Sequence, residues 1–299
     1  QQKGRRVISM PWLLLAITAI ALVFDFLNGF HDASNIVATL ISSRAVAPRT
    51  ALILAAVAEL AGPFLFGVAV ATTIGSEVVD PTAITSAVIL AALLGAIAWN
   101  LLTWYLGWPS STSHALIGGL LGAVLAAAGP SAIRLAGLEK VLIALFLSPV
   151  LGFVLAFVAL RLIYFLARGA TPEIYTFFKK AQIGTALALA LSHGTNDAQK
   201  TMGIIAMAMV TTGYTAEFYV PGWVIAASAA AIALGTATGG WRLIETLGGR
   251  FYKIRPVHAF GSQLTSAMVI LGAALLGGPV STTQVASSAI MGSGSADRL

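Results

Sequence analysis

Apolar residues run in long stretches along the chain, broken by short polar connections. The stretches read Trp12 to Ile41, Thr50 to Ala71, Thr82 to Leu106, Ser111 to Ala128, Val141 to Leu166, Ile183 to Thr211, Trp223 to Leu247, His258 to Leu276 and Ser281 to Met291. A membrane span needs about 20 apolar residues, so the pattern predicts an all-α polytopic membrane protein of roughly eight to ten segments in one integrated domain. Two segments carry polar residues at their centres, Asn28 to Asn35 and Ser192 to Lys200, and these read as broken helices. Pro109 and Pro279 each open a Ser/Thr-rich turn. Unpaired backbone is not tolerated in lipid, so all four interruptions should face protein or a water-filled cavity.

The interruptions occur in pairs. Gly29-Phe-His-Asp-Ala33 matches Gly194-Thr-Asn-Asp-Ala198 at an offset of 165, and Pro109-Ser-Ser-Thr-Ser113 matches Pro279-Val-Ser-Thr-Thr283 at an offset of 170. The chain is therefore an internal duplication: residues 12–135 form repeat 1, 136–180 a connecting helix and loop, and 181–299 repeat 2. Ser131-Ala-Ile-Arg-Leu135 also resembles Ser295-Ala-Asp-Arg-Leu299, which predicts a further C-terminal helix beyond repeat 2.

Lys and Arg cluster in the loops at Arg44 and Arg49, at Arg168, Lys179 and Lys180, and at Arg250, Lys253 and Arg255, so these loops should be cytoplasmic. Alternation then requires two re-entrant Ser/Thr-tipped hairpins entering from opposite sides, with the halves in inverted topology, as in many secondary transporters. Lys3, Arg5 and Arg6 would lie outside, against the trend.

Composition agrees with the membrane reading. The chain is 58% hydrophobic and 9% charged, against about 25% charged in soluble domains. The net charge of +6 is spread over short inter-segment clusters, so nucleic-acid binding is not expected. Zero cysteines excludes disulfides, zinc-thiolate sites and a thiol nucleophile. The first apolar segment runs on too far for a cleaved signal peptide.

The candidate chemistry lies in the paired motifs. Ser110, Ser111, Thr112 and Ser113, and Ser281, Thr282 and Thr283, stand at expected helix starts. They could simply cap those helices, or could present hydroxyl and N–H donors to an oxyanion. Asp32 and Asp197, with Asn28, Asn35 and Asn196, offer hard oxygen ligands for a cation or a protonatable relay. His31, His114 and His193 could exchange protons or merely hydrogen-bond. Gln199, Lys200 and Gln284 lie close by, and Lys200 could pair with a carboxylate or with an anion. Asp25 and Glu59 have no acidic counterpart in the other half and read as inter-helix hydrogen-bonding groups, with Glu59 also a candidate for proton access. No cofactor motif is present, and no metal site is assigned.

At Asn28 to Asn35, Ser192 to Lys200 and both Pro-x-Ser-Thr turns, the sequence resembles the inorganic phosphate transporter (PiT) family through essentially its whole length. The resemblance implies a plasma-membrane (inner-membrane) symporter importing phosphate with a cation. It places phosphate on Ser111, Thr112, Ser113, Ser281, Thr282 and Thr283, and the cation near Asn28, Asp32, Asn35, Asn196 and Asp197. Sodium-coupled members show Gly-Ala-Asn-Asp in both halves, whereas His31 replaces that Asn here. The pattern is therefore similar to the bacterial low-affinity, proton-coupled branch, whose substrate can be a neutral metal-phosphate complex. Sodium is the alternative coupling ion. Phosphate, the coupling cation and membrane lipid are the expected partners, and a homodimer is compatible with the sequence. A sulfate permease of the same fold is the nearest alternative. A membrane-embedded hydrolase is the alternative from another class, but Gly-x-Ser-x-Gly and His-Glu-x-x-His are both absent.

Overall fold

The computed structural model describes residues 11–80, 83–239 and 254–298. Among them the regular structure is helical: α1 Pro11–Ser42, α2 Pro48–Leu65, α3 Ala69–Thr72, α4 Ser86–Leu106, α5 Thr112–Ala128, α6 Leu135–Leu166, α7 Glu173–Thr211, α8 Gly222–Thr238, α9 Pro256–Leu275 and α10 Thr282–Arg298. Five of these, α1, α2, α4, α6 and α9, are long and apolar enough to cross a membrane. The orientation residues Lys3, Arg5, Arg6, Arg250 and Lys253, and the end of the segment expected to reach Leu247, lie outside the described residues.

The helix ends follow from local chemistry. Thr85 caps α4 by accepting a hydrogen bond from the Val88 N–H at 3.3 Å, and Gly107 ends it with φ +68°. That left-handed conformation costs a residue without Cβ nothing, and it turns the chain toward Pro109. Outward faces carry large apolar side chains such as Phe146, Val150 and Val154 of α6, all exposed, as expected for helices in lipid.

Helix α7 is the central element, packed against α1, α2, α8 and α9. Every residue from Ser192 to Met209 is buried, so α7 is enclosed all round rather than amphipathic. Helices α4 and α5 pack together, as do α9 and α10, while α6 covers α10 and α9. One apolar core runs through α1, α4, α5 and α7, and a second through α1, α2, α7 and α9.

The expected breaks at Asn28 to Asn35 and Ser192 to Lys200 are not there: α1 and α7 continue through both motifs. Their glycines serve close approach instead. A Cβ on Gly29 would strike the Ile232 carbonyl of α8, and one on Gly194 the Glu59 backbone of α2. Several of the polar side chains find partners on neighbouring elements, Asp32 on both Ser/Thr turns and Asn28 on Asp197 of α7, while the backbone ladder stays closed.

A break does occur where Thr50 to Ala71 was expected to be continuous. Helix α2 contains Pro63 and ends at Leu65, Gly67 takes φ +78°, and the chain resumes as α3 and a π-helical turn over Thr73–Glu77. The freed N–H groups of Val70 and Ala71 donate to the Gln199 side-chain oxygen at 2.8 and 3.3 Å. Irregular backbone inside a membrane is paired here by a side chain of the central helix.

Candidate functional site

The two Ser/Thr turns begin alike. Ser111 caps α5, accepting from the His114 N–H at 3.2 Å, and Ser281 stands in the same relation to α10, accepting from the Gln284 N–H at 3.3 Å. These two hydroxyl oxygens therefore act as N-caps in this conformation. His114 stays beside its own cap, with Nδ1 2.8 Å from Ser111 Oγ. Ser110 donates to Thr103 at 2.8 Å.

The next residue of each turn reaches a different target. Thr112 and Thr282 both donate to Asp32 Oδ2, at 3.2 and 3.1 Å. Thr283 donates to Asp32 Oδ1 at 3.0 Å, with the Ser110 carbonyl 3.1 Å from the same hydroxyl. His31 Nδ1 lies 3.1 Å from Oδ1, and His193 Nε2 3.6 Å from Oδ2. A carboxylate of α1, wholly buried, is thus held by hydroxyls from both turns and flanked by two imidazoles.

The second acid, Asp197 on α7, is also fully buried. Its Oδ1 lies 2.7 Å from Lys200 Nζ, and its Oδ2 accepts from Asn28 at 3.4 Å. Corresponding positions make corresponding contacts. Asn35 donates to Thr283 at 3.0 Å as Lys200 donates to Ser113 at 2.6 Å, and Asn28 reaches Asp197 as His193 reaches Asp32. Asn196 holds the second turn by its backbone, donating to the Gly278 carbonyl at 3.0 Å and accepting from the Val280 N–H at 3.3 Å.

Glu59 of α2 completes the centre: His193 Nδ1 is 2.5 Å from its Oε1. This is the inter-helix contact expected of that residue. Asp25 lies fully buried on α1 beside Thr201. His31 also lines a cavity of about 170 Å³ with Phe26, Leu27, Phe30, Asn100, Leu101 and Trp104. Its Nε2 has no hydrogen-bond partner among the described residues. Ligand atoms of Asp32, His193 and Asp197 all lie within 4.8 Å of one another, close enough to share a metal ion.

Asp32, Asp197, His31, His193, Asn28, Thr112, Thr282 and Thr283 thus converge on one buried centre, while other candidates hold the turns and α3 in place. Gln199 caps α3, and Ser113 donates to the Val280 carbonyl at 2.7 Å. Gln284 contributes its backbone N–H to the cap at Ser281. Sequence reasoning gave Glu59 no partner. Its pairing with His193 spans 134 residues, and only the folded packing of α2 on α7 reveals it.

An all-helical bundle with apolar outer faces around a buried cluster of acids, imidazoles and hydroxyls defines an integral membrane protein built around a polar centre. The profile of the Phosphate transporter family matches residues 28–298, and the chain belongs to that family. It is 47% identical over 291 residues to the "Probable low-affinity inorganic phosphate transporter" of Bacillus subtilis, covering 96% of this chain and 87% of the relative. The same description belongs to a Rhizobium meliloti protein that is 46% identical, covering 96% of this chain and 86% of that protein. A solved structure, "The sodium-dependent phosphate transporter", shares the fold with a TM-score of 0.85 at 24% identity, covering 95% of this chain and 90% of that one. The relatives are transporters by name, which sets the hydrolase reading aside.

Proposed function

We propose that this protein imports inorganic phosphate across the plasma membrane together with a cation, and that the cation is the proton. The observation that carries this reading is the clasp on Asp32, where three hydroxyls from the two turns converge on one carboxylate. Donors arranged around one oxyanion suit another. In this conformation Asp32 occupies the donors that phosphate needs, so carboxylate and substrate compete for them.

Competition supplies coupling. Hydrogen bonds to an ionised carboxylate are about twice as strong as neutral ones, so neutralising Asp32 loosens its hold on Thr112, Thr282 and Thr283. The released hydroxyls can then turn to phosphate. Cation and anion thereby stabilise each other's bound state, as thermodynamic linkage requires of a symporter. His31 is placed to bring the proton, with one ring nitrogen at Asp32 and a cavity at its side.

The reading extends to architecture. Repeat 1 (12–135) and repeat 2 (181–299) would be inverted with respect to each other, joined by 136–180, with α4–α5 and α9–α10 as re-entrant hairpins. The reciprocal contacts of Asn35 with Thr283 and of Lys200 with Ser113 support the duplication. Alternating access would follow from rocking one half against the other around the fixed site. Phosphate would be told from sulfate by its own proton, donated to an acceptor such as Asp32 or Asp197. A divalent metal accompanying phosphate is a second reading, favoured by the closeness of Asp32, His193 and Asp197.

Equilibrium binding of radiolabelled phosphate to the purified protein tests the substrate assignment. Phosphate should bind and sulfate should fail to displace it; displacement by equimolar sulfate would assign the site to tetrahedral dianions in general.

A further inference from the structure

Lys200 is the one Lys or Arg buried among the described residues, at 1% exposure. Three oxygens surround its ammonium: Ser113 Oγ at 2.6 Å, Asp197 Oδ1 at 2.7 Å and the Val280 carbonyl at 3.1 Å. They come from the first turn, from α7 and from the second turn. Ser113 also donates to that same carbonyl at 2.7 Å, which closes the ring of contacts. A carboxylate, a hydroxyl and a backbone carbonyl freed at a turn make the hard-oxygen set that a small cation takes inside a membrane protein.

The matching position in the first half is Asn35, 165 residues earlier. Its neutral amide makes the equivalent contact, to Thr283 at 3.0 Å. Holding a turn by hydrogen bonding therefore needs no charge. Placing an ammonium in a membrane interior is costly, so the charge itself has a task.

We propose that the Lys200 ammonium is a tethered cation filling an oxygen cage that a sodium ion could otherwise occupy, so that the anion site carries its own permanent counter-charge. The inference rests on reading the Ser/Thr turns as a phosphate site. It explains why both turns converge on the end of one lysine, and it makes sodium unnecessary at Asp197.

The test compares the purified chain with Lys200→Ala and Lys200→Met, each in sodium chloride and in potassium chloride at equal ionic strength, by thermal unfolding and by inorganic phosphate binding. The parent binds phosphate within twofold in the two salts. Lys200→Ala opens the cage, so its unfolding midpoint rises by several degrees in sodium only. Its phosphate affinity, at least tenfold below the parent's in potassium, recovers most of that loss in sodium. Lys200→Met fills the space without charge, and neither quantity responds to sodium. A Lys200→Ala protein that behaves alike in both salts overturns the proposal. So does a strict sodium requirement in the parent, which decides the matter even where the Ala variant does not fold. Sodium-specific stabilisation of Lys200→Ala, in a chain whose parent binds no phosphate, upholds the cage and removes the transport reading, which separates the two failures.

Discussion

Thr282 donates to Asp32 Oδ2 at 3.1 Å across 250 residues of sequence. A hydroxyl of the second turn is thereby tied to a carboxylate of the first helix, and the contact can be remade only if that hydroxyl finds another acceptor. The proposed coupling between cation and phosphate rests on this exchange.

Removing one of the shared hydroxyls should weaken phosphate binding. Thr112→Val and Thr282→Val each delete a donor now held at Asp32, and a buried polar group left unsatisfied costs about 1–3 kcal/mol. Affinity measured by equilibrium binding should fall accordingly while the protein still folds. Unchanged affinity in both variants would remove these residues from the substrate site.

Asp32→Asn keeps the shape of the clasp and deletes its charge. The hydroxyls should then be held less firmly, so phosphate binding persists while accumulation driven by a gradient is lost. Binding and uptake measured on the same preparation check this. If the variant concentrates phosphate as the parent does, Asp32 is structural.

His31→Asn tests the relay. The imidazole lies 3.1 Å from Asp32 and has two ring nitrogens that can each carry a proton. Uptake should lose much of its response to external acidity. Because phosphate itself changes protonation near neutrality, rates must be compared at fixed concentrations of each phosphate species; an unaltered pH profile would exclude this histidine.

Gly194→Val should destabilise the protein, because a Cβ there meets the Glu59 backbone of α2. Overpacking of this kind costs about 1–3 kcal/mol, read as a lower unfolding midpoint in detergent. Gly118→Ala is the control, since a Cβ at Gly118 meets nothing within 4 Å. Equal midpoints for the two variants would refute the close-packing account of the motif.

Much of the centre was legible in the sequence because polar residues are rare inside apolar segments and here occur twice at matched spacing. Asp32, Asp197, Thr112 and Thr282 were singled out on that ground, and the structure brings them to one buried place. What misled was the polar run itself. Asn28 to Asn35 and Ser192 to Lys200 suggested helix breaks, yet both helices are continuous, and Gly29 and Gly194 within them mark backbone approaches between helices. The true break, after Leu65, lies in apolar sequence where only Pro63 and Gly67 signal it. Gln199 pairs its backbone from 129 residues away, a contact that exists only after α7 has packed.

Uptake of labelled phosphate by the purified full chain in sodium-free liposomes, with an imposed proton gradient, tests the central claim most directly. The account predicts concentrative uptake when the outside is acidic, collapsing when the gradient is dissipated. Strict sodium dependence at constant pH, with no response to the proton gradient, would contradict it.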